Sequence, residues 1–175
     1  MLYIDTETYS ECELKKCGGY RYAQDPTTRV TLFGYAIDDA PAQVWDVTTG
    51  TPMPQDLSDA LDDDSILVLA HNSMFDRPVI EHTLGIKLPM RRWRDSMVKA
   101  YTLGLPGSLA QLGQALGLSD DQAKMSDGHK LVMKFCKPAP TNHKAFKYDK
   151  TTHPAEWLRF IEYCGQDVEA MRTIW

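Results

Sequence analysis

The stretch LYIDTETY, residues 2–9, governs the interpretation of the whole chain. Its first three residues are apolar or aromatic and predict a buried strand. Asp5 and Glu7 follow at once, and side chains two residues apart on a strand point to the same side. Because unpaired carboxylates are costly to bury, this pair should face water, a cationic side chain or a metal ion. An isolated acid pair of this kind is usually a solvated strand end, so the remaining motifs must decide its meaning.

The composition is that of one ordinary globular domain. The chain has 175 residues, of which 43% are hydrophobic, enough for a substantial core. No apolar run reaches the roughly 18 residues of a membrane span, and Asp5 interrupts any signal-peptide pattern, so we expect no membrane association and a cytoplasmic location. The four cysteines, Cys12, Cys17, Cys136 and Cys164, lack the pattern of a disulfide framework or of a zinc site, and we expect reduced thiols.

The net charge of −5 conceals an asymmetry between the two halves of the chain. Residues 1–64 carry 13 acidic and 4 basic side chains, whereas residues 87–150 carry 12 basic and 5 acidic ones. A basic half on an acidic protein is compatible with a polyanionic ligand. A chance distribution of surface charge explains it equally well.

Segments rich in β-branched and aromatic residues predict four strands, over residues 2–6, 29–37, 43–47 and 66–70. The first three should be antiparallel, and the fourth should lie parallel after a crossover helix over residues 54–61. Beyond residue 70 the apolar spacing becomes helical, and it predicts helices over 75–84, 97–101, 108–118, 130–135 and 154–175. This order of elements predicts an α/β fold with a central mixed sheet flanked by helices.

Two further polar motifs follow later in the chain. In AHNSMFD, residues 70–76, Asn72 and Asp76 stand where an apolar strand passes into a helix, a usual location for the chemistry of α/β folds. Asn72 can equally act as the N-cap of that helix. Tyr163 and Asp167 are four residues apart and share one face of the last predicted helix, where a surface hydrogen bond is the ordinary explanation.

Together the motifs resemble the DnaQ-like proofreading 3′–5′ exonucleases, which have a ribonuclease H-like fold. DxE at a strand end, N-x-x-x-D after another strand and Y-x-x-x-D on a late helix stand in the order and spacing of that family. Tyr163 corresponds to the DEDDy branch, because the DEDDh branch would have histidine where this chain has Glu162. Segments such as 18–39, 108–118 and 163–175 are similar to the exonuclease part of phage-type family A DNA polymerases.

The resemblance implies phosphodiester hydrolysis with two divalent metal ions, Mg²⁺ or Mn²⁺. Asp5, Glu7 and Asp167 would hold the ion that activates water, and Asp5 would bridge to a second ion to which Asp76 contributes. Tyr163 would orient the water, since a group with an ordinary pKa near 10 is a poor base. Four carboxylates so close together should repel one another, which predicts at least one raised carboxyl pKa in the absence of metal.

Residues beside these motifs are candidates for binding the substrate. A backbone amide or hydroxyl of Thr6 or Thr8 could meet the terminal 3′-OH. The resemblance implies that Asn72 lies beside the terminal nucleotide. Phe75 could pack against a base, although a core position is the commoner role for such a residue.

A basic and aromatic segment, HKAFKYDK over residues 143–150, is a second candidate for the substrate contact. Lys144 and Lys147 could meet phosphates while the aromatic residues stack on unpaired bases, a combination that suits single strands. A surface loop with incidental charge explains the segment as well. The RRWR run at residues 91–94 is a weaker candidate of the same kind, and Asp95, which follows it, is expected to be an N-cap or a supporting residue.

We therefore expect residues 1–175 to form a single 3′–5′ exonuclease domain, the N-terminal part of a longer DNA polymerase. It would be a monomer that removes nucleotides from the 3′ end of single-stranded DNA and proofreads for a polymerase module in the same chain or bound as a partner. An exonuclease that processes RNA 3′ ends remains an alternative, because discrimination depends on contacts to the 2′-OH. The other alternative is a catalytically silent nucleic-acid-binding module of a polymerase.

Overall fold

A five-stranded mixed sheet, ordered β3-β2-β1-β4-β5, forms the centre of the computed structural model, which describes residues 1–118, 128–142 and 146–175. The strands are β1 (Leu2–Tyr9), β2 (Arg29–Ile37), β3 (Gln43–Asp46), β4 (Val68–Ala70) and β5 (Trp93–Asp95). The first three are antiparallel, and β4 and β5 run parallel to β1. The predicted mixed sheet and its parallel crossover are confirmed.

Two strands differ from the prediction. β1 continues to Tyr9 rather than ending at Thr6, because its polar second half still pairs with β2. β5 was not predicted, since its three residues lie within the charged RRWR run. Arg92 of that run is buried, and its guanidinium donates hydrogen bonds to the carbonyls of Ile66, Leu61 and Ala60. It therefore supports the fold and is not available to a phosphate.

The described residues form seven α-helices. They are α1 (Leu14–Gln24), α2 (Gln55–Asp62), α3 (Ser73–Leu84), α4 (Ser96–Thr102), α5 (Leu109–Ala115), α6 (Gly128–Phe135) and α7 (Pro154–Ile174). Helix α1 was not predicted, because it has little apolar periodicity and is kinked at Gly18, whose φ is 75°. Among the described helices, none combines the length and apolar character required to cross a membrane.

Apolar clusters cover both faces of the sheet. On one face, Leu2 and Ile4 of β1 pack with residues of α2 and α3 such as Leu57 and Ile80. The opposite face packs against α6 and α7, and its buried members are Leu32, Leu131, Phe135, Trp157, Phe160 and Cys164. Successive residues of β1 thus face different helices, and the odd-numbered Asp5 and Glu7 point towards α7.

The cysteine prediction is wrong for one pair. Cys12 and Cys17 form a disulfide, whereas Cys136 and Cys164 are free thiols. The pair meets because the turn after β1 leads directly into the first turn of α1, where the Cys17 amide donates a hydrogen bond to the carbonyl of Glu13 at 3.1 Å. Spacing in the sequence alone did not reveal this turn.

Candidate active site

Three of the four predicted carboxylates meet at one point. Asp5 and Glu7 from β1 and Asp167 from α7 each offer an oxygen atom, and these atoms all lie within 4.8 Å of one another. Glu7 is buried, and the other two are half-buried. Hard divalent cations prefer such sets of oxygen ligands, so the cluster has the composition and spacing of a site for Mg²⁺ or Mn²⁺.

A glycine allows α7 to come this close to the sheet. Gly34 on β2 pairs with Asp5. A Cβ atom at Gly34 would lie 2.9 Å from both the Cys164 Sγ and the Val168 Cγ2, closer than real Cβ contacts. Because residue 34 has no side chain, the helix segment that carries Asp167 can rest directly beside Asp5.

Asp76 approaches from the opposite side of the sheet. It lies in the first turn of α3, just after β4, and is buried. The Thr6 hydroxyl donates a hydrogen bond of 2.6 Å to its Oδ1. Asp76 is outside the cluster of three carboxylates, but its charge contributes to the raised pKa of Asp5 and Glu7. The structure therefore places three carboxylates together and the fourth beside them.

The carboxyl groups of this site are held in a state unfavourable to ionisation. Burial is the largest cause for all four: it raises the pKa of Asp5 well above its ordinary value, that of Glu7 to about 8, that of Asp76 to about 7 and that of Asp167 to about 6. Repulsion from Asp167 raises the pKa of Asp5 and Glu7 further. The predicted rise is confirmed, and a bound divalent cation would relieve it.

Tyr163 stands one helical turn before Asp167, and the two side chains are hydrogen-bonded. Burial and the carboxylates of Asp167 and Glu7 raise the pKa of Tyr163, so its hydroxyl keeps its proton. The ring lies against Gly128 at the start of the described part of α6, where a Cβ atom would be 2.2 Å from the Tyr163 Cε2. A second glycine thus fixes the tyrosine.

Asp95 organises the loops behind Asp76. Its carboxylate accepts hydrogen bonds from the amides of Asn72 and Ser73 at the start of α3, and from those of Met97 and Val98 at the start of α4. Burial opposes ionisation of Asp95, but the hydrogen bonds from Ser73 and neighbouring amides lower its pKa below the ordinary value. The expected N-cap role of Asp95 is confirmed.

The alternative role of Asn72 as the N-cap of α3 is wrong for its side chain. Asn72 occupies the N-cap position in a left-handed conformation with φ 71°, but its side chain makes no capping hydrogen bond. The carboxylate of Asp95 takes that role, and the Asn72 side chain is exposed.

Cys136 is a neighbour of Glu7 that the sequence did not indicate. Its thiol donates a hydrogen bond to the Glu7 Oε2 at 3.6 Å, and burial raises the pKa of this thiol well above its ordinary value. Nothing in the sequence signals the contact, since 129 residues separate the two positions.

A groove of about 570 Å³ opens beside Glu7, between β1, α1 and the end of α6. Thr6, Thr8 and Phe75 line it. The hydroxyl of Thr8 is hydrogen-bonded to that of Tyr22 at 2.7 Å, so this hydroxyl and that of Thr6 are both engaged within the protein. Phe75 is half-buried and contacts the Tyr22 ring at 5.7 Å, so it is both a core residue and a wall of the groove.

The two lysines of the basic segment do not line this groove. Lys147 borders a separate cavity next to Tyr9, beyond Glu7 on β1. Lys144 lies outside the described residues. The structure therefore brings together the carboxylates, Tyr163 and the groove residues, and leaves Lys147 apart from them.

Comparisons with known proteins agree with this geometry. The family model described as the RNase_H superfamily matches residues 2–175. A DNA polymerase of Bacillus phage SP02 is 36% identical over 176 residues, which cover 99% of this chain and 27% of that protein. The chain thus spans about a quarter of the length of this relative.

Solved nucleases share the fold at low sequence identity. Brucella melitensis NrnC matches with a TM-score of 0.60 and 16% identity, over 99% of this chain and 69% of that one. The same protein with bound Mg²⁺ gives 0.58 and 18%, over 99% and 68%. The EXO domain of Aedes aegypti Nibbler gives 0.54 and 12%, over 99% and 78%. This chain therefore belongs to the RNase H superfamily, and its fold is that of the DnaQ-like exonucleases.

Proposed function

We propose that this domain is a metal-dependent 3′–5′ exonuclease of the DEDDy type that hydrolyses phosphodiesters at the 3′ end of single-stranded DNA. The observation that carries the proposal is the meeting of Asp5, Glu7 and Asp167 within 4.8 Å, with the hydroxyl of Tyr163 hydrogen-bonded to Asp167. Such a cluster costs folding free energy unless a divalent cation compensates it, so its presence favours a metal-binding role.

The carboxylates divide the work of holding the cations. Asp5, Glu7 and Asp167 would bind one ion, and Asp5 together with Asp76 would bind a second. Two such ions, Mg²⁺ or Mn²⁺, would supply an activated water and neutralise charge on the transition state and on the leaving 3′-oxygen. Thr6 keeps the Asp76 carboxylate oriented through its hydrogen bond of 2.6 Å.

Tyr163 is proposed to orient the attacking water. Its raised pKa keeps the hydroxyl protonated at neutral pH, so it acts by position and not by removing a proton. The contact with Gly128 and the hydrogen bond to Asp167 restrict the ring to one place beside the carboxylate cluster.

The groove beside Glu7 is proposed to receive the 3′-terminal nucleotide. Thr6 and Thr8 form its floor and Phe75 one wall, where the ring can contact a base. The exposed side chain of Asn72 stands at the entrance to α3 and is free to contact the nucleotide. Because both threonine hydroxyls are engaged, these two residues would act through their backbone atoms and shape.

DNA is proposed as the substrate because the phage relative is a DNA polymerase. In this proposal residues 1–175 are the N-terminal proofreading domain of a longer polymerase, monomeric and active in the cytoplasm of a bacterial or phage-infected cell. The polymerase module would deliver mispaired 3′ ends to the groove.

The test is cleavage of a 5′-labelled single strand, as DNA and as RNA of the same sequence, with Mg²⁺, Mn²⁺ or chelator. We expect a ladder of products shortened one nucleotide at a time from the 3′ end, faster for DNA, and abolished by chelator and by Asp5→Asn. Faster cleavage of RNA would identify an RNA 3′-end processing enzyme. Binding of the strand without cleavage in any metal would identify a catalytically silent module.

A further inference from the structure

A second cavity, of about 220 Å³, lies at the end of β1 on the side of the sheet that faces α6 and α7. Tyr9 forms its floor, and Phe135 and Trp157 of the two helices form its inner wall. Arg29 of β2 and Lys147 and Lys150 of the basic segment line the cavity as well. We call it the Tyr9 cavity, and none of its lining residues belongs to the carboxylate cluster.

Two cations flank the ring of Tyr9. The Cζ atom of Arg29 is 5.5 Å from the ring centroid, and the Nζ atom of Lys147 is 5.8 Å from it. Within residues 1–118, 128–142 and 146–175, neither Arg29 nor Lys147 forms an ion pair with a carboxylate. Cations left without a carboxylate around one cavity attract an anionic ligand.

The carboxylates near the cavity do not neutralise these cations. Asp149 lines it, but its Oδ1 accepts hydrogen bonds from Thr151 and Thr152 within its own turn. Asp46 bonds the Trp157 indole at 2.9 Å and lies 3.9 Å from Lys150. The positive charge of Arg29 and Lys147 therefore remains in excess.

The hydroxyl of Tyr9 supplies a second, independent observation. Tyr9 is 2% exposed, and its buried hydroxyl oxygen has no hydrogen-bond partner. A buried hydroxyl without a partner is uncommon and often indicates a missing ligand. An anionic oxygen entering between Arg29 and Lys147 would provide the acceptor.

Lys147 is held over the cavity by local structure. Pro138 and Lys147 form an antiparallel bridge, and the Ala139 amide donates a hydrogen bond of 2.8 Å to the carbonyl of Phe146. These contacts fold the basic segment back onto the end of β1. Lys147 therefore occupies a defined place opposite Arg29.

We propose that the Tyr9 cavity is a phosphate-binding site that holds an internal phosphodiester of the strand whose 3′ end lies at the carboxylate cluster. Glu7 and Tyr9 are two residues apart on β1, so the cavity begins about 7 Å from the cluster along the strand. The inference rests on the proposed function and adds an upstream contact made by Tyr9, Arg29 and Lys147. It predicts that grip on the strand increases once the strand is long enough to reach the cavity.

The test compares single-stranded DNA of two to eight nucleotides, bound with Ca²⁺ as a stand-in for the active ion and measured by fluorescence anisotropy. For Arg29→Ala and Lys147→Ala we expect about tenfold weaker binding of the longest strands, no change for the dinucleotide, and a salt dependence reduced by about one phosphate contact. Tyr9→Phe should show the same length threshold with a smaller loss. Arg91→Ala removes an exposed arginine paired with Asp64 and is the matched control, with no expected change.

An equal loss at every length, or no loss at any length, would overturn the proposal. Arg29 is exposed, and circular dichroism of each variant excludes unfolding as the cause. Binding is measured without cleavage, so a wild-type protein that binds with the length threshold but never cuts would contradict the proposed function and leave the phosphate site supported.

Discussion

Gly34 lies directly opposite Asp5 on the neighbouring strand, and the space left by its missing side chain is filled by helix α7. The two residues together determine whether the carboxylates of β1 and α7 can share a cation. Asp5 provides a ligand, and Gly34 sets the distance to the helix that provides the next one.

Gly34→Ala should separate the two halves of the site. The added methyl group would press on Cys164 and Val168, and on the backbone carbonyl of Cys164 at 3.1 Å, so the helix must shift. We expect a loss of about 1–3 kcal/mol in the free energy of unfolding. We also expect a fall of roughly 100-fold in kcat and weaker Mn²⁺ binding by calorimetry.

Gly165→Ala is the control for this change on the same helix. A Cβ atom at Gly165 would make only an ordinary contact of 3.5 Å with Val44. Alanine is a better helix former, so stability should stay equal or rise slightly. If the two alanine variants have the same activity and the same metal affinity, the spacing role of Gly34 is wrong.

Gly128→Ala should reproduce the defect of Tyr163→Phe. The methyl group cannot occupy a point 2.2 Å from the Tyr163 ring, so the ring must leave Asp167. Each variant should lower kcat by about tenfold to 100-fold while metal affinity changes little. The double variant should be no worse than the poorer single one, because both act on the same hydroxyl. Additive losses in single-turnover kinetics would show that Gly128 acts elsewhere.

Asp5→Asn and Asp167→Asn should abolish cleavage and yet stabilise the metal-free protein. Each change removes a carboxylate whose ionisation is opposed by burial, and with it the repulsion that acts on Glu7. We expect an increase on the order of 1–3 kcal/mol in chelator at pH 8, measured by urea unfolding. Added Mg²⁺ should reverse the order, since only the wild-type protein gains from binding. Equal stability of variant and wild type in chelator would contradict this account of the cluster.

Stability of the metal-free protein should decrease as pH rises through the neutral range. The pKa of Glu7 is raised to about 8 and that of Asp76 to about 7, so the folded state binds these protons more tightly than the unfolded chain. Their contribution is fully present near pH 4 and is lost as pH approaches 8. Melting curves in chelator should therefore shift to lower temperature from pH 5.5 to pH 8.5. In Mg²⁺ this shift should shrink, because the cation binds the deprotonated groups; the same shift with and without Mg²⁺ would argue against a metal site here.

The sequence predicted those elements whose side chains carry their own signal. β2 was predicted with its observed bounds because its nine residues are almost continuously apolar or aromatic. Helix α1 was missed, since two glycines and several charged residues remove the apolar period. β5 was missed because three residues of a parallel strand depend on the neighbouring β4 for their pairing.

The site shows the same division. Carboxylates such as Asp5 and Asp167 have few reasons to follow apolar residues, so their motifs could be recognised in the sequence. Gly34, Gly128 and Cys136 act through neighbours that are distant in the chain, and their residue types have many ordinary explanations. Only the packing of α6 and α7 against β1 and β2 reveals what they contact.

The separation of the ligands along the chain has a consequence for protein synthesis. Asp5 and Glu7 emerge from the ribosome first, whereas Asp167 belongs to α7, which follows all five strands. A nascent chain therefore holds half of a cation site until its last helix docks on Gly34. Nuclease activity should appear only when this domain is fully translated and folded, which protects nearby nucleic acid from incomplete chains.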